Sequence, residues 1–281
     1  MILVTGATGT IGREVVREIP ADLDLRIMAR DPGRVTDVPP AAETVHGDFT
    51  DPASLADALR GVHTAFLVTN PGGNDDTCFL RAARAAGVRH VVKLSAAAVA
   101  DHGAEDLITR WQRHNEDLLR TSGMEWTLLR PRSFMSNALS WARSIRSDDV
   151  VRALYGTSAN ACVDPRDVAA VAARALTEEG HAGTVHTLTG PQAITAAEQT
   201  AQLAELLGRP IRFEELPPDR ARTALSARYP ADIVDALLES AERQRKGSKA
   251  AVDDTVATVL GRPAGTFHGW ASDHLGAFGG G

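Results

Sequence analysis

Lysine is nearly missing from this chain of 281 residues: Lys93, Lys246 and Lys249 stand among 30 basic side chains. Aromatic residues make up 5%, and the tyrosines are Tyr155 and Tyr229. A core must therefore be built mainly from aliphatic side chains. Two cysteines, Cys78 and Cys162, give neither metal-ligand spacing nor a disulfide framework. No metal site is expected, and the usage suits a reducing, cytoplasmic compartment. No apolar run reaches the roughly 20 residues of a membrane span. The first residues read as a core strand, so neither a membrane partner nor a signal peptide is expected. A formal net charge of -6 argues against nucleic acid. No internal repeat or low-complexity tract interrupts the pattern.

What is present is concentrated at the start, Met1-Ile-Leu-Val-Thr-Gly-Ala-Thr-Gly-Thr-Ile-Gly12. Ile2, Leu3 and Val4 suit a strand buried on both faces. Ile11, Val15, Val16 and Ile19 then recur at helical spacing until Pro20. Between them stand Gly6, Gly9 and Gly12. A strand that turns through glycines into a helix suits a dinucleotide: the first glycine makes the turn, the second admits the pyrophosphate and the third packs helix on strand. The free N–H groups and dipole of the helix N-terminus favour the phosphates. Thr5, Gly6, Thr8, Gly9, Thr10, Ile11 and Gly12 are therefore cofactor candidates.

Strands and helices alternate from there. Leu23 to Arg30 reads as the second strand, and its end selects the cofactor. An acid there would bind a ribose 2′-OH, whereas arginine would pair with a 2′-phosphate. Arg30 lies 18 residues beyond Gly12, and Arg34 can close from the other side. The guanidinium fork suits phosphate, so NADP is favoured, with NAD the alternative because of Asp31. Thr44 to His46 is a third strand, followed by Asp48 and Phe49. Asp51-Pro52 reads as a helix cap. Thr64 to Thr69 is the fourth strand, and Val68, Thr69 and Asn70 should line the crevice at its carboxyl end. A helix over 75–86 with Gly87 at its end, and a fifth strand over His90 to Ala96 ending near Ser95, come next. The spacing predicts a helix over 106–121 stopped by Gly123, then a sixth strand from Trp126 to Pro131. The pattern is α/β, a doubly wound parallel sheet of the Rossmann type. Past Thr189 the chain reads as mainly helical, over 196–207 and 232–246. A boundary near 150 separates a cofactor domain (1–150) from a smaller, mainly helical substrate lobe (151–281), with a return to the sheet near 185–189. Phe213, Trp270 and the residues after Tyr155 should cover the substrate side.

The Gly-x-x-Gly-x-x-Gly opening resembles the extended and atypical short-chain dehydrogenases, in particular their NmrA-like branch. So do Leu118-Leu-Arg-Thr-Ser-Gly123, Trp126-Thr-Leu-Leu-Arg-Pro131, Phe134, Asn137 and Val163-Asp-Pro-Arg-Asp-Val-Ala-Ala170. The resemblance covers residues 1 to about 215 and implies that Asp48 and Phe49 flank the adenine. It also implies that Val163 to Ala170 docks a helix beside the cleft. Most short-chain dehydrogenases protonate a carbonyl with a tyrosine activated by a lysine four residues later. Here those places hold Ala159 and Ile233, so no Tyr-x-x-x-Lys pair exists. On the expected active-site helix, Gln112 can donate a hydrogen bond but is no acid. His114 should point away from it, and Ser95 is a weak acid without a base. The reading is an NADPH-dependent ketoreductase that lets its substrate, a planar aromatic polyketide-like ketone, supply the proton. Leu107, Trp111, Gln112, Phe134, Met135 and Trp141 are the substrate candidates. An NADP-binding redox sensor and a quinone reductase are the alternatives.

Overall fold

The computed structural model describes residues 1–280. In chain order the elements are β1 (Ile2–Thr5), α1 (Thr10–Glu18), β2 (Leu25–Ala29), β3 (Glu43–His46), α2 (Pro52–Ala58), β4 (Thr64–Leu67), α3 (Asp75–Ala86), β5 (His90–Leu94), α4 (Leu107–Arg120) and β6 (Glu125–Pro131). They continue with α5 (Ala142–Asp148), β7 (Val150–Ala153), α6 (Pro165–Thr177), β8 (Thr184–Leu188), α7 (Ala196–Leu207), β9 (Arg212–Glu215), α8 (Pro218–Ser226), α9 (Ala231–Arg245), α10 (Thr255–Leu260) and α11 (Phe267–Asp273). Seven strands form one parallel sheet in the order β3-β2-β1-β4-β5-β6-β8. The order reverses between β1 and β4, which is where open α/β sheets bind ligands.

Each face of the sheet buries its own aliphatic cluster. On one face Ile11, Val15 and Val16 of α1, with Ile19 just past its end, meet Val168, Val171 and Ala172 of α6, with Val256 of α10 beside them. On the other, Leu55 and Leu59 around α2 and Phe79 and Leu80 of α3 pack with Leu119 of α4. The helix starts follow the chemistry of their caps. Asp51, Asp106 and Asp164 each accept a hydrogen bond from a backbone N–H one or two residues into the helix they open. Gly87 and Gly208 end α3 and α7 in the left-handed conformation.

β8 belongs to the main sheet, and α6 and α10 cover one of its faces, so the sheet body reaches well past residue 150. The second lobe has a core of its own, made by Met135, Ile145, Val151, Leu203, Phe267, Trp270 and Phe278. It also contains a short parallel pair, β7 with β9, within a lobe expected to be mainly helical. Trp270 sits in that lobe core at 1% exposure, stacked on His274 with ring centroids 4.4 Å apart, rather than over the cleft. The lobe segment between β8 and α10 leaves and re-enters the body at one point. There the Thr189 hydroxyl accepts from Asp253 N at 3.0 Å and lies 3.1 Å from Asp253 O.

Candidate active site

A cleft of about 750 Å³ opens at the carboxyl ends of β1 to β4. Thr5, Gly6, Thr8, Arg30, Arg34, Asp48, Phe49, Val68, Thr69 and Asn70 line it as expected, whereas Gly9, Thr10, Ile11, Gly12 and Ser95 do not. Gly6 has φ +67°, and a Cβ there would fall 2.3 Å from Val68 Cγ1. A Cβ on Gly12 would fall 2.3 Å from Gly6 O, so the third glycine lets α1 touch the turn itself. No side chain caps α1. Its first N–H groups remain for an anion, which fits a pyrophosphate. Ile11 contributes no side chain, being buried in the core at 4% exposure. The Thr5 hydroxyl donates to Phe66 O at 3.1 Å and accepts from Val68 N at 2.9 Å, and so ties β1 to β4 where the chain divides.

The far end of the cleft carries Arg30, Asp31 and Arg34. Asp31 accepts from Gly33 N at 3.1 Å and shapes the turn that holds Arg34. Arg30 is exposed, and neither it nor Arg34 forms an ion pair among the described residues. Two unengaged guanidinium groups beside a carboxylate already occupied by its own turn fit a 2′-phosphate. Asp48 accepts from both the N–H and hydroxyl of Thr50 at 2.8 Å, and these bonds hold its carboxyl below the ordinary range. Asp75, also in the cleft, is pushed up by burial and by nearby Asp76 and Asp48.

Behind Thr69 lies a buried polar network that the sequence reading missed. Thr69 Oγ1 donates to Asp76 Oδ2 at 2.6 Å, and Lys93 Nζ stands 2.5 Å from Asp76 Oδ1. Burial pushes the Lys93 ammonium below the usual lysine range despite Asp76. Trp111 covers it, with Nζ 5.6 Å from the ring centroid. Ser95 Oγ donates to Glu116 Oε1 at 2.6 Å, and Arg130 and Arg120 hold the same carboxylate. Ser95 is thus a buried structural donor, away from the cleft. The signal available in the sequence was a lysine inside the apolar run His90-Val-Val-Lys-Leu94.

A second cavity, about 270 Å³, lies past the end of β6. Phe134, Met135 and Trp141 line it, but Leu107, Trp111 and Gln112 do not. α4 turns Gln112 inward, where its Oε1 has no hydrogen-bond partner among the described residues, and leaves His114 exposed. α6 starts beside this cavity, which Cys162 lines, and then runs into the core. The walls are more polar than expected, with Asn160, Gln199, Gln244 and Lys249 among them. Burial, together with the nearby Arg243 and Arg132, pushes the Lys249 ammonium down to about 8.

Residues 6–179 match the family described as NAD(P)H-binding. The chain belongs to that family. It is an NAD(P)H-dependent oxidoreductase of the atypical short-chain dehydrogenase type. The (4-alkanoyl-5-oxo-2,5-dihydrofuran-3-yl)methyl phosphate reductase of Streptomyces griseus subsp. griseus is 57% identical, over 99% of both chains. The NAD(P)H azoreductase of Xenophilus azovorans is 37% identical, again over 99% of both. Among solved structures, the NADPH-dependent quinone oxidoreductase of Escherichia coli, complexed with NADPH, superposes with a TM-score of 0.86 at 27% identity, over 98% of this chain and 99% of that one. These relatives are named as reductases, so the sensor alternative gives way to an enzyme. No helix of the described residues is long and apolar enough to cross a membrane.

Proposed function

We propose that the protein reduces a carbon–carbon double bond conjugated to two carbonyls, in an alkanoyl butenolide that carries a phosphate. The compound in the name of the Streptomyces griseus relative has this character: its ring double bond is flanked by a lactone carbonyl and an alkanoyl carbonyl. NADPH, when bound, supplies a hydride. Hydride addition at the ring carbon bearing the phosphomethyl group opens the π bond, and the electron pair becomes an enolate shared by the two carbonyls. Water protonates the adjacent ring carbon and completes the reduction.

The observation that carries this reading is the missing acid. The chain has no Tyr-x-x-x-Lys pair, Ser95 is bound to Glu116 behind the sheet, and Gln112 holds no transferable proton. A simple ketone would give an alkoxide, a strong base that needs a proton as it forms. A doubly stabilised enolate is a weak base and can wait for water. The chain's own task is then placement. Arg30 and Arg34 hold the 2′-phosphate, the glycine turn receives the pyrophosphate, and the cavity past β6 orients the acceptor. Phe134 and Trp141 in that cavity favour a second reading, the planar aromatic ketone.

The test follows the label. With NADPH deuterated at the transferred position, deuterium should appear at the ring carbon bearing the phosphomethyl group, and solvent hydrogen at its neighbour. Deuterium on the carbinol carbon of the alkanoyl chain would mean ketone reduction and overturn the proposal. So would turnover of hydroxylated aromatic ketones with no turnover of the butenolide phosphate.

A further inference from the structure

The cavity past β6 is lined by a cation that forms no ion pair among the described residues. Lys249 is one of three lysines in 281 residues, and it lines this cavity. Its backbone is pinned, since Lys249 O accepts from Ala161 N at 2.9 Å and the preceding Ser248 O accepts from Arg132 Nη1 at 3.1 Å. Its ammonium has neither an ion pair nor a hydrogen bond among the described residues. Arg132 adjoins it, with a buried Nε that also has no partner. The nearby carboxylates are committed elsewhere. Asp106 pairs with Arg243 at 2.6 Å and accepts from Thr109, while Asp253 accepts from Thr255. Asp101 lies 3.9 Å from Arg243 Nε. A largely buried, unpaired ammonium is costly to a fold and marks a binding site when it faces a cavity.

We infer that Lys249 is the subsite that receives the phosphate monoester of the substrate. The inference rests on the proposed function for the identity of the ester. The cation alone requires only an anionic group. A phosphate there would pair with the ammonium, while Gln244 and Asn160, which already bond one another at 3.4 Å, close the same wall. The chain then recognises its substrate at both ends of the site by phosphate, with arginines for the cofactor and a lysine for the acceptor.

Calorimetric titration of the NADP+-loaded protein tests this with three probes: the butenolide phosphate, its dephosphorylated alcohol and inorganic phosphate. The ester should bind at least tenfold more tightly than either of the others. Lys249→Met should erase the preference for ester over alcohol, and Lys249→Arg should retain most of it. Equal binding of ester and alcohol by the native protein, no measurable binding of the ester, or a preference that survives in Lys249→Met would each overturn the assignment. Inorganic phosphate binding as tightly as the ester would make this a free-anion site and overturn it too. Because binding is read rather than turnover, a Lys249-dependent preference without butenolide reduction would refute the proposed reaction and leave the subsite standing.

Discussion

Asp76 is shared between the cleft and the core: one oxygen accepts from Thr69 at 2.6 Å and the other stands 2.5 Å from Lys93 Nζ. Thr69 lines the nucleotide cleft, whereas Lys93 has no exposed surface. The floor of the cleft is therefore anchored by a charge pair between α3 and β5. Removing one member of a buried pair strands the other. Lys93→Met should destabilise the protein by about 3–5 kcal/mol in chemical denaturation, and Asp76→Asn added to it should recover part of that loss. Additive losses in the double variant would show that the two groups do not depend on one another.

Cofactor preference is the second expectation. Arg30→Ala should weaken NADPH binding by about 1.5–3 kcal/mol, the range for hydrogen bonds to charged groups, and leave NADH nearly unchanged. Fluorescence titration with both cofactors decides it. Equal losses would mean that Arg30 does not read the 2′-phosphate.

The glycine turn should tolerate nothing larger. Gly12→Ala puts a methyl group 2.3 Å from Gly6 O, so α1 and the turn must separate. NADPH binding should be lost, whereas an alanine at exposed Gly33, whose nearest neighbour would be the Asp31 carboxylate at 3.4 Å, should be mild.

Ser95→Ala and Gln112→Ala bear on proton delivery. A protein-borne acid typically contributes 10²–10⁴-fold. Both variants should retain substantial turnover, with losses on the scale of about 0.5–1.5 kcal/mol. A Ser95→Ala protein that binds NADPH normally and is otherwise silent would show that the hydroxyl belongs to a proton relay.

Lys249 sets a pH dependence with opposite signs for binding and folding. Its folded value of about 8 lies below the ordinary 10.5, so the charged form burdens the folded state at neutral pH. The unfolded chain holds more protons between these values, and stability should rise as pH climbs from about 8 towards 10.5. Lys249→Met should accordingly melt higher than the native protein at pH 7, with the advantage shrinking above pH 8. Phosphate-ester binding should run the other way. It should be best above the second phosphate ionisation, near about 6, and weaken as the ammonium discharges past about 8. A flat stability difference across pH 7 to 10 would contradict the shift.

Much of the sheet could be read from the chain because its signals are local. Gly6, Gly9 and Gly12 frame one turn, Asp51-Pro52 one cap, and Val163 to Ala170 the start of one helix. β7 and β9 escaped because Val150 pairs with Arg212 across 62 residues, and Arg212-Phe-Glu-Glu215 has the composition of a loop. Thr5, Gly6, Thr8, Arg30, Arg34, Asp48, Phe49, Val68, Thr69 and Asn70 line the cleft for the same local reason, whereas Gly9 to Gly12 and Ser95 do not. The substrate candidates divided, since Phe134, Met135 and Trp141 follow β6 directly, whereas Leu107, Trp111 and Gln112 ride on α4, whose rotation the sheet dictates. Trp270 was taken for a cleft residue because an aromatic ring has no periodicity to tell a core from a cavity. Lys249 gave no signal beyond the rarity of lysine itself.

The Thr189–Asp253 junction bears on how such a chain can diversify. The two ends of the Gly190 to Val252 excursion meet at the Thr189 hydroxyl, and this excursion supplies Ile194, Gln199, Gln244 and Lys249 to the cavity past β6. Lengthening a closed excursion adds little entropy cost, about 0.6 kcal/mol for each doubling. Insertions, deletions and grafts between related enzymes can therefore accumulate there while the seven strands of the main sheet keep their register, and new preferences can arise without rebuilding the nucleotide half. A graft cut at residue 150 would instead sever β8, α6 and α10 from the sheet they complete.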